Sequence, residues 1–201
     1  MSKSQSSHRG VTIVVVAAAL VIALAFVAAC IWPGWALNTA TEKQPSSQSK
    51  STSEPTEPTI KPKDLPADAS ELLKAMPDSV LNYARVEAVP SADWTGASPL
   101  EEYSLSYGTG DDAKNVSLVV GQWSSADAAK QQYDTLTGNM KGTELGSGSV
   151  KVSGNTTGSY LAKTDDADPS KAIAVWQNDT VVFQAKGAKA AVERFYQHFP
   201  L

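Results

Sequence analysis

The sequence predicts an α+β fold, an antiparallel sheet with amphipathic helices packed on one face, preceded by one transmembrane helix and a disordered linker. Three observations predict it. Residues 11–32 carry no charged side chain. Residues 38–66 are dominated by Ser, Thr and Pro and contain no aromatic. Residues 67–201 twice run through strand, turn, strand and helix, with a period of two giving way to one of 3.6.

The stretch VTIVVVAAALVIALAFVAACIW, residues 11–32, has no polar stripe of the kind that faces water on a helix of a globular domain. As a helix it extends about 33 Å, enough for a hydrocarbon core of about 30 Å. Lys3 and Arg9 precede it, and Trp32 and Trp35 follow. The positive-inside rule then puts residues 1–10 in the cytoplasm as a short tail and the C-terminal portion outside, in a single-pass protein of the cell membrane. The apolar run exceeds a secretory h-region of about 7–15 residues, which favours an uncleaved signal-anchor. Val27-Ala28-Ala29-Cys30 offers the alternative of a lipobox with Cys30 as the lipidated residue. Against it, Cys30 is followed by apolar Ile31–Trp35 rather than a polar tether.

Residues 38–66 hold Ile60 and Leu65 as their only large apolar side chains, and five prolines. Such a composition buries too little surface to offset chain entropy and is expected to be disordered. Fully extended it reaches roughly 90 Å, a spacer's length.

Residues 67–201 form one extracytoplasmic domain, with 11 basic and 17 acidic residues and hence a charge of −6. Asp68, with Glu71 three positions on, predicts the start of a short helix ending before Pro77. Val80–Val89 reads as a strand with imperfect alternation. Leu100–Tyr107 alternates clearly, with Tyr103, Leu105 and Tyr107 on one face and Glu102, Ser104 and Ser106 on the other. Gly108–Asp112 is a turn signal, and Asn115–Trp123 a central strand. Ser124 or Ser125 caps a helix whose apolar face is Ala129, Tyr133, Leu136 and Met140, with Gly138 as its C-cap. Glu144–Ser153 and Ser159–Thr164 are strands joined through Gly154-Asn155. Lys171–Gln177 and Thr180–Lys186 form a hairpin across Asn178-Asp179. Gly187 ends it, and Ala188, Ala191, Val192, Phe195 and Phe199 give a last helix its apolar face.

The stretches VSLVVGQWSSADAAKQQY and TVVFQAKGAKAAVERFY, together with this order of segments, resemble actinobacterial-type membrane-anchored envelope proteins with a small extracytoplasmic α+β domain. That resemblance implies a location and a fold. It brings no catalytic motif and no assigned activity.

The chemistry-bearing residues are few. Cys30 is the single cysteine, which excludes an internal disulfide and a Cys-rich zinc site. A sequence pI near 5.2 argues against nucleic acid as a partner. His198 is the one histidine beyond residue 8, and Gly146–Val150 lacks the spacing of a nucleophile elbow. Asp165, Asp166 and Asp168 lack the closing glutamate of a calcium loop, and Asp111-Asp112 lies in a turn. Gly108, Gly110 and Gly121 do not match a phosphate-cradling pattern. No catalytic, metal-ligating or cofactor-binding residue is therefore expected. Trp94, Trp123 and Trp176, with Tyr103 and Tyr107, are the candidate recognition surface for a glycan, a peptide or an envelope protein. The reading is a membrane-tethered, non-catalytic binding or sensing module of the cell envelope. With a cytoplasmic tail of ten residues, its output would pass through a partner. The alternatives are a structural or assembly protein that docks on the cell wall or another envelope protein, and a hydrolase using unrecognised acidic residues. An aromatic-lined cavity favours binding, an exposed strand edge assembly, and two close carboxylates in a cleft an enzyme.

Overall fold

In the computed structural model, which describes residues 54–200, the alternating stretch becomes strand β3, Glu101–Gly108. Tyr103, Leu105 and Tyr107 share one face with Leu118 and Val120 of β4, Val116–Gln122. β1, Ser79–Val80, and β2, Tyr83–Pro90, precede them. β5, Glu144–Val152, β6, Asn155–Thr164, β7, Lys171–Asn178, and β8, Val181–Ala188, complete one eight-stranded sheet. Its order is β1-β2-β3-β4-β8-β7-β6-β5, and every neighbouring pair is antiparallel. Two meanders thus meet at the β4–β8 seam, and each is followed by a helix.

The helices are short. α1 is Glu71–Ala75, α2 Ala126–Gly138 and α3 Lys189–Gln197. Ser70 caps α1 by accepting from the Leu73 N–H at 3.2 Å, two positions beyond the expected Asp68. Ser125 caps α2 through the Ala128 N–H.

This corrects the expected fold class. The domain is mostly sheet, and its helices lie on both faces. α1 and α3 cover the face that carries Tyr83, Tyr107, Trp176 and Phe183. α2 packs Ala129, Tyr133 and Leu136 on Val175, Val182 and Ile173 of the other face. The physical reason lies in the central strands. AIAVW of β7 and VVF of β8 are apolar on both sides, so each side has to be covered.

The expected membrane helix and Cys30 lie outside the described residues. Among the described residues no helix is long and apolar enough to cross a membrane. The transmembrane, signal-anchor and lipoprotein readings, which rest on residues 11–32, therefore find no support among the described residues.

Residues 54–66, the proline-rich end of the expected linker, follow a defined course along the domain. The Lys63 N–H donates to the Arg85 carbonyl at 2.8 Å, and the Arg85 guanidinium donates back to the Lys63 carbonyl at 3.2 Å. Leu65 packs against the main core.

Candidate functional site

The sheet register assembles an aromatic row. Gly148, Tyr160, Trp176, Phe183, Val120 and Tyr103 stand opposite one another across β5, β6, β7, β8, β4 and β3. α3 lies over the middle of this row. Phe195 fills the centre against Tyr83 and Tyr107, at ring separations of 5.9 and 4.9 Å. Past the end of α3, Phe199 meets the Trp176 indole edge-on at 5.2 Å. Trp176 in turn stacks on Phe183 at 4.9 Å.

Between this C-terminal turn and the β5–β6 hairpin the row opens into a groove of about 380 Å³. Val150, Val152, Tyr160, Trp176, Tyr196 and Phe199 supply its apolar walls, with Ser149, Lys151 and Gln197 among its polar lining. The hairpin is built to form that wall. Ser153 and Gly154 have φ of 51° and 85°, the two positive values that a tight two-residue turn needs. Gly148 leaves room for the Tyr160 ring, since a Cβ there would sit 2.9 Å from it. Tyr160 then lies 5.9 Å from Tyr196.

Trp176 lines the groove with little of its surface exposed, 4%, and its indole N–H is buried with no acceptor among the described residues. Leaving such a donor unpaired costs about 1–3 kcal/mol. The indole N–H of buried Trp123, by contrast, donates to the Ala97 carbonyl at 2.8 Å.

The structure does not bring the five candidate aromatics into one surface. Trp94 and Trp123 are buried beside each other over the opposite face, at 5.9 Å, above Gly121. Any side chain at Gly121 would press on both rings. Glu102 fixes this loop, its carboxylate accepting from the Asp93 N–H at 2.8 Å and the Trp94 N–H at 3.0 Å. Tyr107 is fully buried, and burial pushes its phenol well above the ordinary tyrosine range. Its hydroxyl donates to the Pro77 carbonyl at 2.9 Å. Tyr103 is half-buried and bonds the Ser70 hydroxyl at 3.1 Å. Of the five, Trp176 lines the groove. Tyr160 and Tyr196 carried no expectation from sequence, and Phe199 was expected only on the apolar face of the last helix, because these side chains come together with Trp176 only when β6 pairs with β7 and α3 docks on the sheet. The signal that pointed to them is the small-residue run Gly146-Ser147-Gly148, which leaves space for a large neighbour.

The acidic turn is locally occupied. Asp165 accepts from the Ala167 N–H at 2.8 Å, and Asp168 from the Ser170 hydroxyl at 2.6 Å. The Ser170 bonds hold the Asp168 carboxyl below its ordinary range. Among the described residues no three His, Cys, Asp or Glu side chains come together as a metal site. His198, exposed at the end of α3, contacts the Arg194 carbonyl at 3.0 Å.

No family model matches the chain, and no curated protein is significantly similar to it. Among solved structures, a GTP binding regulator from Thermotoga maritima is similar at 16% identity, over 58% of this chain and 73% of that one. The TM-score is 0.39, a likeness that carries no argument about fold or function.

Proposed function

We propose that the domain is a non-catalytic binding module whose ligand occupies the groove between the β5–β6 hairpin and the turn after α3. The observation that carries this is an aromatic-walled groove of ligand size lined by Trp176, whose indole N–H is buried and unpartnered beneath its wall. Native folds rarely leave such a donor orphaned, and a bound acceptor removes the cost. The enzyme alternative needs two close carboxylates in a cleft. Glu101 and Glu102 line one groove, where both Glu102 oxygens serve backbone N–H groups, and Asp165 and Asp166 line another, where Asp165 accepts from the Ala167 and Asp168 N–H groups. In this reading a bound ligand is reported onward through a partner.

A second reading, assembly through a strand edge, draws on β5. It pairs on one side alone, and Val152 at its end is 46% exposed. Its two register irregularities, at Glu144/Gly146 and Val150/Lys151, count against it, because bulges discourage edge pairing.

One experiment separates them. The full-length, ¹⁵N- and methyl-labelled protein is titrated with a set of small apolar fragments and followed by NMR. The binding reading expects saturable shifts clustered at Val150, Tyr160, Trp176 and Tyr196. Shifts confined to α2 or the Asp165–Asp168 turn, or no saturable shift, contradict it. Concentration-dependent broadening along β5 without groove shifts supports assembly in its place.

A further inference from the structure

The chemistry of the groove also restricts what can fill it, and this step rests on the binding reading above. Among the described residues, those that line the groove include no carboxylate. Their one charged side chain is Lys151, and one of them, Trp176, carries a buried, unpartnered indole N–H. Tyr196, which accepts a long contact of 3.5 Å from the Gln197 amide, can still donate its hydroxyl proton. The walls are aromatic and aliphatic. In a portion of the chain where acidic residues outnumber basic ones by 17 to 11, a site with a cation and no anion is a local exception. Charge beyond about 8–10 Å is largely screened in physiological salt, so the local set decides.

We infer that the groove takes a small carboxylate with a compact apolar body, its oxygens received by the Trp176 indole N–H and the Lys151 ammonium and its body held against Tyr160 and Tyr196. An ammonium-bearing ligand of the same shape meets one cation and no counter-charge. A neutral hydrocarbon leaves the indole N–H as it was. Because that N–H is covered, entry requires the wall to give. The Phe199–Pro200 turn is the part suited to this. It lies beyond His198, the C-cap of α3, where the Phe199 N–H makes a long backbone contact of 3.4 Å to the Tyr196 carbonyl and the Phe199 ring packs on Trp176, Phe183 and Phe195.

The test is a matched pair of probes, 4-phenylbutyrate and 4-phenylbutylamine, titrated into the full-length ¹⁵N-labelled protein. Indole N–H and groove resonances are followed. The carboxylate is expected to bind at least about ten-fold tighter and to move the Trp176 indole proton downfield, as a charge-assisted hydrogen bond does. Lys151→Gln, an exposed substitution that leaves the core untouched, should weaken the carboxylate by about two- to five-fold and leave the amine no weaker. Equal binding of both probes in the groove overturns the carboxylate assignment and leaves the binding reading standing. Binding of neither, with no groove resonance moved, overturns both. Carboxylate binding that Lys151→Gln and Trp176→Phe both leave intact overturns the assigned contacts.

Discussion

Arg85→Leu should lower the stability of the domain by about 2–5 kcal/mol, because it strips the donor from backbone carbonyls under the side chain at about 1–3 kcal/mol each. Arg85 is 2% exposed. Its guanidinium donates to the Met76, Pro77 and Lys63 carbonyls at 3.1, 3.2 and 3.2 Å, and to the Asp78 carboxylate at 2.7 Å. One side chain therefore ties the end of α1 and the strap of residues 54–66 to β2. Leucine fills part of the volume but leaves the Met76 and Lys63 carbonyls without that donor, while the Pro77 carbonyl keeps the Tyr107 hydroxyl. Asp78→Asn is the informative control. The Asp78 side chain is 76% exposed and the backbone bonds of Arg85 remain, so the loss should stay within about 1 kcal/mol. Urea denaturation of the two variants checks the ranking. Hydrogen exchange should show residues 60–65 opening in Arg85→Leu and staying closed in Asp78→Asn.

Phe195→Ala should cost about 3–5 kcal/mol, by a different route. Phe195 is fully buried and joins α3 to the sheet through Tyr83, Tyr107 and Phe199. The aromatic ring has no polar atom, so the loss combines lost burial with the cavity left behind. Face-covering helices of nine residues have little propensity to fall back on, and α3 also lacks a side-chain N-cap bond. The denaturation midpoint should fall while the urea slope stays unchanged. Because Phe199 touches Phe195 at 5.4 Å, the same variant should loosen the groove wall.

The sequence made some of this legible. The Tyr103, Leu105 and Tyr107 alternation marked one face of β3 correctly, and the apolar spacing marked α2 and α3. Their placement on opposite faces was not foreseen. The signal was present in β7 and β8, whose unbroken apolar runs require cover on both sides, but two hairpin-plus-helix units suggested a symmetric, one-faced layer. The imperfect alternation of Val80–Val89 also had a cause. Arg85 is buried among apolar neighbours, and the register shifts between Arg85 and Glu87. A charged residue in a strand cannot announce from sequence that four acceptors will converge on it. The groove was the least legible feature. Trp176 was singled out, yet its neighbours Tyr160 and Tyr196 become neighbours only once β6 pairs with β7 and α3 docks across them. Trp94 and Trp123 were equally conspicuous in sequence, but Gly121 lets both rings settle onto the sheet, and Glu102 and the Ala97 carbonyl take up the polar groups around them.

Everything functional here turns on the state of one proton, that of the Trp176 indole. Its ¹H shift in the ligand-free, full-length protein can be read directly beside that of Trp123, whose N–H is bonded to the Ala97 carbonyl. An unpartnered donor should resonate well upfield of the Trp123 proton and move toward it when the groove is filled. A Trp176 proton that already matches Trp123 in the ligand-free protein, and stays there under every probe, would contradict the groove as a binding site.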